Sequence, residues 1–189
     1  MNVAPADELR RELVPGETLR WTGQPRQGMR FRATDIIMIP FSLLWAGFIL
    51  FWEWNAVYSA ADWIFVLWGI PFILVGLYIT VGRFFADRSI RARTYYGLTE
   101  RRALIVSGLF ARQVKSLDLR SLPEIGLTER RDGSGTISFG ASNPLAAIWD
   151  GVPWPGAGKL QAPSFDLIDN ARNVYEQVRH AQEAVRAGV

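Results

Sequence analysis

Two long apolar runs dominate the hydropathy pattern of the chain. The first is residues 36–52, IIMIPFSLLWAGFILFW, and the second is residues 63–81, WIFVLWGIPFILVGLYITV; neither contains a charged residue. At about 1.5 Å rise per residue, helices of this length extend roughly 26 and 28 Å, close to the ~30 Å hydrocarbon core of a bilayer. The pattern therefore predicts two transmembrane helices, at residues 36–54 and 63–82, joined by a short external loop at residues 55–62.

Two other interpretations of these runs are a buried helix pair of a soluble protein and a cleaved signal peptide. A soluble helix is rarely apolar on every face over such a length. A signal peptide carries its apolar stretch close to the N-terminus, whereas 35 mostly polar residues come first here. The small residues 59–61 resemble a cleavage site, but the second run would remain after cleavage. Two membrane spans are the favoured interpretation.

The arginine distribution predicts the orientation of these spans. Residues 1–35 and residues 82–102 carry six Arg each, and residues 53–62 carry neither Arg nor Lys. Because positive charge accumulates on cytoplasmic flanks, both termini are expected in the cytoplasm of a two-pass plasma-membrane protein. Aromatic rings, which favour the headgroup level, cluster at the opposite end of the runs: Trp52, Trp54, Tyr58 and Trp63.

Small residues predict how the two spans pack. Gly69 and Gly76 are seven positions apart and share one face of the second helix, and a patch of small residues on the first helix is expected to meet them. That patch consists of Ser42, Ala46 and Gly47. Neither run contains an ionisable residue, which argues against a proton relay, an ion path or a transporter site.

From residue 84 onward the pattern changes to short segments with period-two alternation separated by turn residues. The segment Arg-Asp-Gly-Ser-Gly at residues 131–135 is typical of a hairpin turn. Residues 170–187 have the apolar spacing of an amphipathic helix, capped by Asp169 or Asn170. Such a helix buries its stripe most simply against a curved sheet. Six strands are predicted, at residues 94–99, 102–107, 113–119, 124–129, 136–139 and 164–168.

Several short motifs carry a resemblance. YGLTERRALI at residues 96–105 resembles the Y-x-L-T-x-x-R-h-h-h signature of bacterial pleckstrin-homology-like (PH-like) domains. GTISFG at 135–140 and FDLID at 165–169 are similar to later strands of that family. Upstream, GE at 16–17 and WTGQP at 21–25 resemble the short element that often precedes membrane spans in such proteins.

The resemblance implies a fold class: a membrane helical hairpin plus a mainly-β, PH-like barrel or sandwich with a C-terminal capping helix. The domain is expected at residues 83–189, behind a cytoplasmic leader at residues 1–35, in the bacterial inner membrane. The family has a strand within residues 141–162, but their Pro, Gly and Trp content is typical of a loop. The sequence leaves strand or loop open.

The resemblance also suggests a lipid site, because basic residues near the first β-hairpin of the wider PH family often meet phosphorylated headgroups. The candidate lipid-binding residues are Arg83, Arg88, Arg91, Arg93, Arg101 and Arg102. The competing explanation, which we favour, is that membrane topology alone requires these charges. Trp149 and Trp154 are candidate partner-binding residues, and they could equally pack over a small barrel.

Little in the sequence indicates catalysis. The chain has no Cys, and it shows no Gly-rich phosphate loop, no nucleophile elbow and no metal-ligand spacing. His180, the only histidine, is expected to be a solvated helix residue. No cofactor, metal or nucleic acid is expected. The favoured function is a non-catalytic scaffold or assembly module for protein partners or a homo-oligomer; the alternatives are an anionic-lipid sensor and an unrecognised hydrolase using His180.

The leader contains one further pattern. Leu9 and Leu13 have helical spacing within residues 6–14. This segment is expected to dock on the β domain or on another subunit, and the alternative is a frayed helix.

Overall fold

The chain forms two compact units in its computed structural model. Among the described residues, those up to Gly28 and those from Arg88 onward form one unit, the β unit; residues 35–87 form the other, the helical hairpin. The structure describes residues 5–28, 35–59, 62–108, 111–140 and 162–187.

The helical hairpin is built from the two apolar runs. Helix α2 covers Asp35–Tyr58, and helix α3 covers Trp63–Leu77. A π-helical turn at Tyr78–Gly82 continues α3 directly into the polar helix α4, Arg83–Ala92. Both α2 and the continuous 30-residue helix from Trp63 are long and apolar enough to cross a membrane, so the prediction of two such helices is confirmed.

Helix α2 and the continuous helix from Trp63 to Ala92 both extend beyond the apolar runs. Residues 53–58, Glu-Trp-Asn-Ala-Val-Tyr, contain no Gly or Pro that would stop a helix, and Asn55 Nδ2 donates a hydrogen bond to the Phe51 carbonyl inside it. Helix α2 therefore includes Asp35 and Glu53, which flank the apolar run of residues 36–52, and the run itself contains no ionisable residue.

The glycines of α3 face α2, as their spacing predicts. Gly69 and Gly76 are both buried. A Cβ atom built on Gly69 would lie 1.7 Å from Oε2 of Glu53, and one built on Gly76 would lie 3.4 Å from Cδ1 of Trp45. The glycines thus make room for two large side chains of α2.

The predicted small patch on α2 is only partly at this interface. Ser42 is buried and donates its Oγ hydrogen to the Ile39 carbonyl. Ala46 is half-buried, and Gly47 is exposed with no atom within 4 Å of a Cβ built on it. The prediction that the small patches meet is therefore wrong for Gly47. Trp45 and Glu53 of α2, and not Gly47, fill the space beside Gly69 and Gly76.

A buried ion pair closes the base of the helical hairpin. Nη1 of Arg83 lies 2.9 Å from Oδ1 of Asp35, and the two side chains are 6% and 7% exposed. The Arg83 guanidinium also lies 4.6 Å from the centre of the Phe84 ring. The pair joins the first residue of α2 to the first residue of α4.

The β unit contains seven described strands in two antiparallel sheets, with orders β1-β2-β3-β4 and β5-β6-β7. Six of these strands and the final helix confirm the elements that the sequence predicts. A short helix, α1, precedes the first strand. The bounds are α1 Pro5–Arg10, β1 Leu19–Gly23, β2 Tyr95–Thr99, β3 Arg102–Ser107, β4 Gln113–Asp118, β5 Ile125–Glu129, β6 Gly135–Phe139, β7 Ser164–Ile168 and α5 Ala171–Ala187.

Strand β1 lies in the leader, ahead of the helical hairpin. It pairs with β2, with Trp21 opposite Leu98 and Gly23 opposite Tyr96. The leader is thus part of the β unit, and the two long helices are inserted between two paired strands. The domain boundary that the sequence predicts at residue 83 therefore separates β1 from the sheet to which it belongs. Residues 141–161, which hold most of the segment where the family has a strand, lie outside the described residues.

The core of the β unit lies between the sheets and α5. Phe165 is fully buried and contacts the rings of Tyr96 and Phe139 at 4.9 and 4.8 Å between centroids. The predicted apolar stripe of α5 packs here through Val174 and Val178, which are both buried. The helix thus covers the core as its periodicity predicts.

Candidate functional site

The leader docks on the face of the four-stranded sheet that points away from the core. Successive residues of a strand face opposite sides, so Leu104 and Val106 of β3 belong to this outer face while Ala103 and Ile105 belong to the core. Leu9 of α1 is fully buried against the outer pair. Docking of the leader on the domain, one of the two predicted arrangements, is confirmed.

Gly97 of β2 creates the space that Leu9 fills. A Cβ atom built on Gly97 would lie 3.2 Å from Cδ1 and Cδ2 of Leu9 and 3.2 Å from Cδ2 of Leu19, tighter than ordinary van der Waals contact. We call the depression formed by Gly97, Leu104 and Val106 the leucine socket.

Arginine and glutamate pairs surround the leucine socket. Arg102 donates two hydrogen bonds to the Glu17 carboxylate, at 2.8 and 2.6 Å, and a third at 2.8 Å to the Glu12 carbonyl. Nη2 of Arg112 lies 3.3 Å from the carboxylate of Glu8 and 3.0 Å from that of Glu12. The leader therefore presents acidic groups to a basic rim on the sheet.

The Arg102 pair changes the acidity of Glu17. Hydrogen bonds from Arg102 lower the pKa of Glu17 from 4.5 to about 2, although burial opposes this change. The same bonds raise the pKa of Arg102. Both shifts favour the charged forms, so the pair is fully ionised at neutral pH.

A second polar cluster holds the end of the leader where the chain leaves the sheet. Arg91 is 5% exposed and donates to the carbonyls of Arg26 and Gly28 at 3.1 and 2.8 Å. The Arg26 guanidinium pairs with Asp132 and Asp169. The pKa of Asp132 falls to about 2, mainly because the Ser134 hydroxyl donates to it, with the Ser134 N–H and Arg26 adding to the effect.

The six arginines predicted to bind lipid belong to both units, Arg83 to the helical hairpin and the other five to the β unit. Three of them, Arg83, Arg91 and Arg102, are hydrogen-bonded to Asp35, to leader carbonyls and to Glu17 respectively. The other three are exposed: Arg88, Arg93 and Arg101.

The exposed arginines of the β unit are also spread out. Arg93 precedes β2 and Arg101 follows it, and a five-residue strand extends roughly 17 Å. The two guanidinium groups thus belong to opposite ends of that strand. The other predicted binding residues, Trp149 and Trp154, lie outside the described residues.

No protein-family model, curated protein or solved structure matches this chain. The resemblance to PH-like domains therefore stays a prediction, and the function has to be argued from the chain's own geometry.

The alternative of an unrecognised hydrolase rests on His180. It is exposed on α5, next to Arg179, whose Nη2 lies 3.0 Å from the Glu183 carboxylate. Within the ranges that the structure describes, no three His, Asp or Glu side chains come together in a way that could hold a metal ion.

Sequence reasoning did not find the leucine socket. Two local signals pointed towards it: an isolated glycine inside a strand often marks close approach of another segment, and residues 8–13 repeat the pair Glu-Leu four positions apart. Neither signal says which segment approaches which strand.

Proposed function

We propose that this chain is a two-pass membrane protein of the bacterial inner membrane, whose PH-like β unit acts as a non-catalytic scaffold for protein partners at the cytoplasmic face. The observation that carries the proposal is the insertion of two long apolar helices between paired strands of one folded sheet. This arrangement would attach the β unit to the bilayer through both ends of the helical hairpin.

Exposed apolar side chains along the hairpin support membrane insertion. Ile36, Leu44 and Trp68 are 77%, 74% and 65% exposed. A helix in the core of a soluble protein would bury such groups, and contiguous apolar surface of this extent calls for a non-aqueous cover. Lipid supplies that cover, and helices satisfy their own backbone hydrogen bonds within it.

Strand β1 argues against a cleaved signal sequence. It precedes the first apolar helix, yet it pairs with β2, which follows the second. Cleavage within the hairpin region would release a strand that the sheet uses. The helices are therefore better explained as permanent spans.

The position of the two connections supports a common side for both ends of the hairpin. The chain leaves β1 after Gly23 and enters β2 at Tyr95, and these positions lie at the same end of the sheet because Gly23 pairs with Tyr96. A single folded unit cannot lie on both sides of a bilayer, so the spans must return to the side that they left. The arginine excess on both flanks favours the cytoplasm.

The strand arrangement supports the PH-like assignment. The resemblance implies a mainly-β barrel or sandwich with a C-terminal helix, and the described residues contain two antiparallel sheets with α5 packed on the core. Strand β1 of the leader lies outside the domain that the sequence predicts from residue 83, and it extends the first sheet.

Photo-crosslinking in native membranes tests the scaffold function. A photoreactive residue at Val114, which is 41% exposed on the edge strand β4, should give discrete protein adducts in cells. The same residue at Ser59, at the far end of α2, is the matched control and should not give those adducts. If position 114 gives no protein adduct beyond those found at position 59, a scaffold that binds partners at this edge would be contradicted.

The exposure of Arg88 and Arg93 favours a second candidate, an anionic-lipid sensor. Each basic residue near an anionic surface contributes about 1 kcal/mol, and salt screens the attraction. In nanodiscs, a lipid sensor should show hydrogen-exchange protection of residues 88–94 that rises with anionic lipid at low salt and disappears at high salt. Protection independent of lipid charge would remove this candidate.

A further inference from the structure

The leucine socket has the features of a binding site for a peptide. Its floor is a glycine, its walls are the buried side chains of Leu104 and Val106, and its rim carries Arg102 and Arg112. We propose that the socket binds short acidic helical segments centred on a leucine, and that the chain's own leader occupies it in cis.

The shape of the socket selects for a leucine. Both terminal methyl groups of Leu9 lie where a Cβ of residue 97 would crowd them, at 3.2 Å. Leu9 is fully buried in consequence. Any other residue at position 97 would fill the floor, and a shorter side chain at position 9 would leave it empty.

The charges of the rim select for acidic neighbours of that leucine. Glu8 lies in α1 and Glu12 in the turn that follows it, and both contact Arg112. Arg102 binds the Glu12 carbonyl and the Glu17 carboxylate. The ligand that this rim recognises therefore contains a leucine, a glutamate immediately before the leucine, and a second glutamate three positions after it.

The leader is suited to release. Helix α1 has six residues, fewer than a helix needs to be stable by itself, and Leu9 is its fully buried anchor. The Arg112 side chain is 40% exposed, so its ion pairs are screened by solvent. Leu9, Leu104 and Val106 form a cluster separate from the core around Phe165, and opening the socket leaves that core packed.

A competing segment would therefore act by exchange with the leader. It needs only to bind the open socket better than the tethered leader does, because a ligand shifts an equilibrium by its difference in affinity for the two states. This mechanism does not depend on where the helical hairpin lies.

The probe for this proposal is a labelled synthetic peptide with the sequence of residues 5–18, PADELRRELVPGET. Binding to the full-length purified chain is followed by fluorescence anisotropy. Leu9→Ala in the chain empties the socket without altering its walls, and we expect this variant to bind the peptide at least tenfold more tightly than the unaltered chain. A peptide with Leu9→Ala is the matched control and should not bind.

A second substitution locates the binding. Gly97→Val added to Leu9→Ala fills the floor of the socket and should abolish binding of the peptide. If Leu9→Ala fails to fold by circular dichroism, Glu8→Arg with Glu12→Arg releases the leader instead by repelling it from Arg112. Equal binding to the unaltered and released chains, binding that survives Gly97→Val, or no binding to a folded released chain would each overturn the proposal.

Discussion

At the scale of single residues, arginines in this chain join segments that are distant in the sequence. Arg102 of β3 binds Glu17 of the leader, and Arg91 binds the carbonyls of Arg26 and Gly28. The sequence places these arginines after a long apolar run but says nothing about their acceptors, because each acceptor is more than 60 residues away. Such pairs occupy the guanidinium groups of Arg91 and Arg102 inside the β unit.

The Glu17–Arg102 pair predicts a pH-dependent stability. The pKa of Glu17 is about 2 in the folded chain and 4.5 as its ordinary value, so its contribution is complete above about pH 4.5 and is lost as the pH falls towards 2. Glu17→Gln should lower the free energy of unfolding of the β unit by roughly 1–3 kcal/mol at pH 7. The difference from the unaltered chain should shrink below pH 4.5 and vanish near pH 2.

Chemical denaturation at pH 7, 4 and 2.5 measures this difference, with hydrogen exchange of β2 and β3 reporting on the β unit. Glu124→Gln is the control, because Glu124 is an exposed carboxylate of the same unit. A Glu17→Gln deficit that stays constant across these pH values would show that the ion pair is not its cause.

At the scale of elements, the local patterns of the sequence predict which strands and helices form, but not which of them contact each other. The alternation in residues 94–139 and the apolar stripe of residues 171–185 give the strands and α5 within about a residue of their observed bounds. Strand β1 has five half-buried or exposed residues and a partner more than 70 residues away, so no local periodicity reveals it. The leucine socket was missed for the same reason, since Gly97 and Leu9 are far apart in the sequence and are neighbours only in the folded structure.

Packing of the helical hairpin predicts that a large side chain at Gly69 is unfavourable, because it must displace the carboxylate of Glu53. A Cβ at this position already lies 1.7 Å from Oε2 of Glu53, and overpacking of this kind typically costs about 1–3 kcal/mol. Gly69→Leu should lower the melting temperature of the helices in detergent, measured by circular dichroism. Gly47→Leu is the control and should have little effect, because a Cβ on Gly47 has no atom within 4 Å. Equal effects of the two substitutions would contradict the observed packing face.

The buried pair at the base of the hairpin predicts a charge-swap rescue. Removing one partner of a buried ion pair costs about 3–5 kcal/mol because the other charge stays unpaired. Arg83→Asp should therefore destabilise the hairpin strongly, and Asp35→Arg in the same chain should restore a large part of the loss. Arg88→Asp serves as the control, since Arg88 is exposed. Thermal denaturation in detergent measures the stability of each variant. A double variant that melts no higher than Arg83→Asp alone would exclude a direct pairing of the two side chains.

At the scale of the whole molecule, the two long helices are inserted in the chain between two paired strands of the β unit. Both chain connections leave the same end of the four-stranded sheet, so the fold fixes the two ends of the hairpin to one folded unit. The apolar runs and arginine counts predict spans and sidedness from the sequence alone. The pairing of β1, which precedes the hairpin, with β2, which follows it, came only from the structure.

Cysteine accessibility tests this account most directly, because the chain has no cysteine of its own. Single cysteines are placed at Ser59, at the far end of α2, and at Ser121, exposed in the β unit, and cells are treated with a membrane-impermeant maleimide. The account predicts labelling of Ser59→Cys once the outer membrane is permeable, and labelling of Ser121→Cys only after the inner membrane is disrupted. Labelling of both positions, or of Ser121→Cys alone, with the inner membrane intact would contradict a hairpin that spans the membrane and holds the β unit in the cytoplasm.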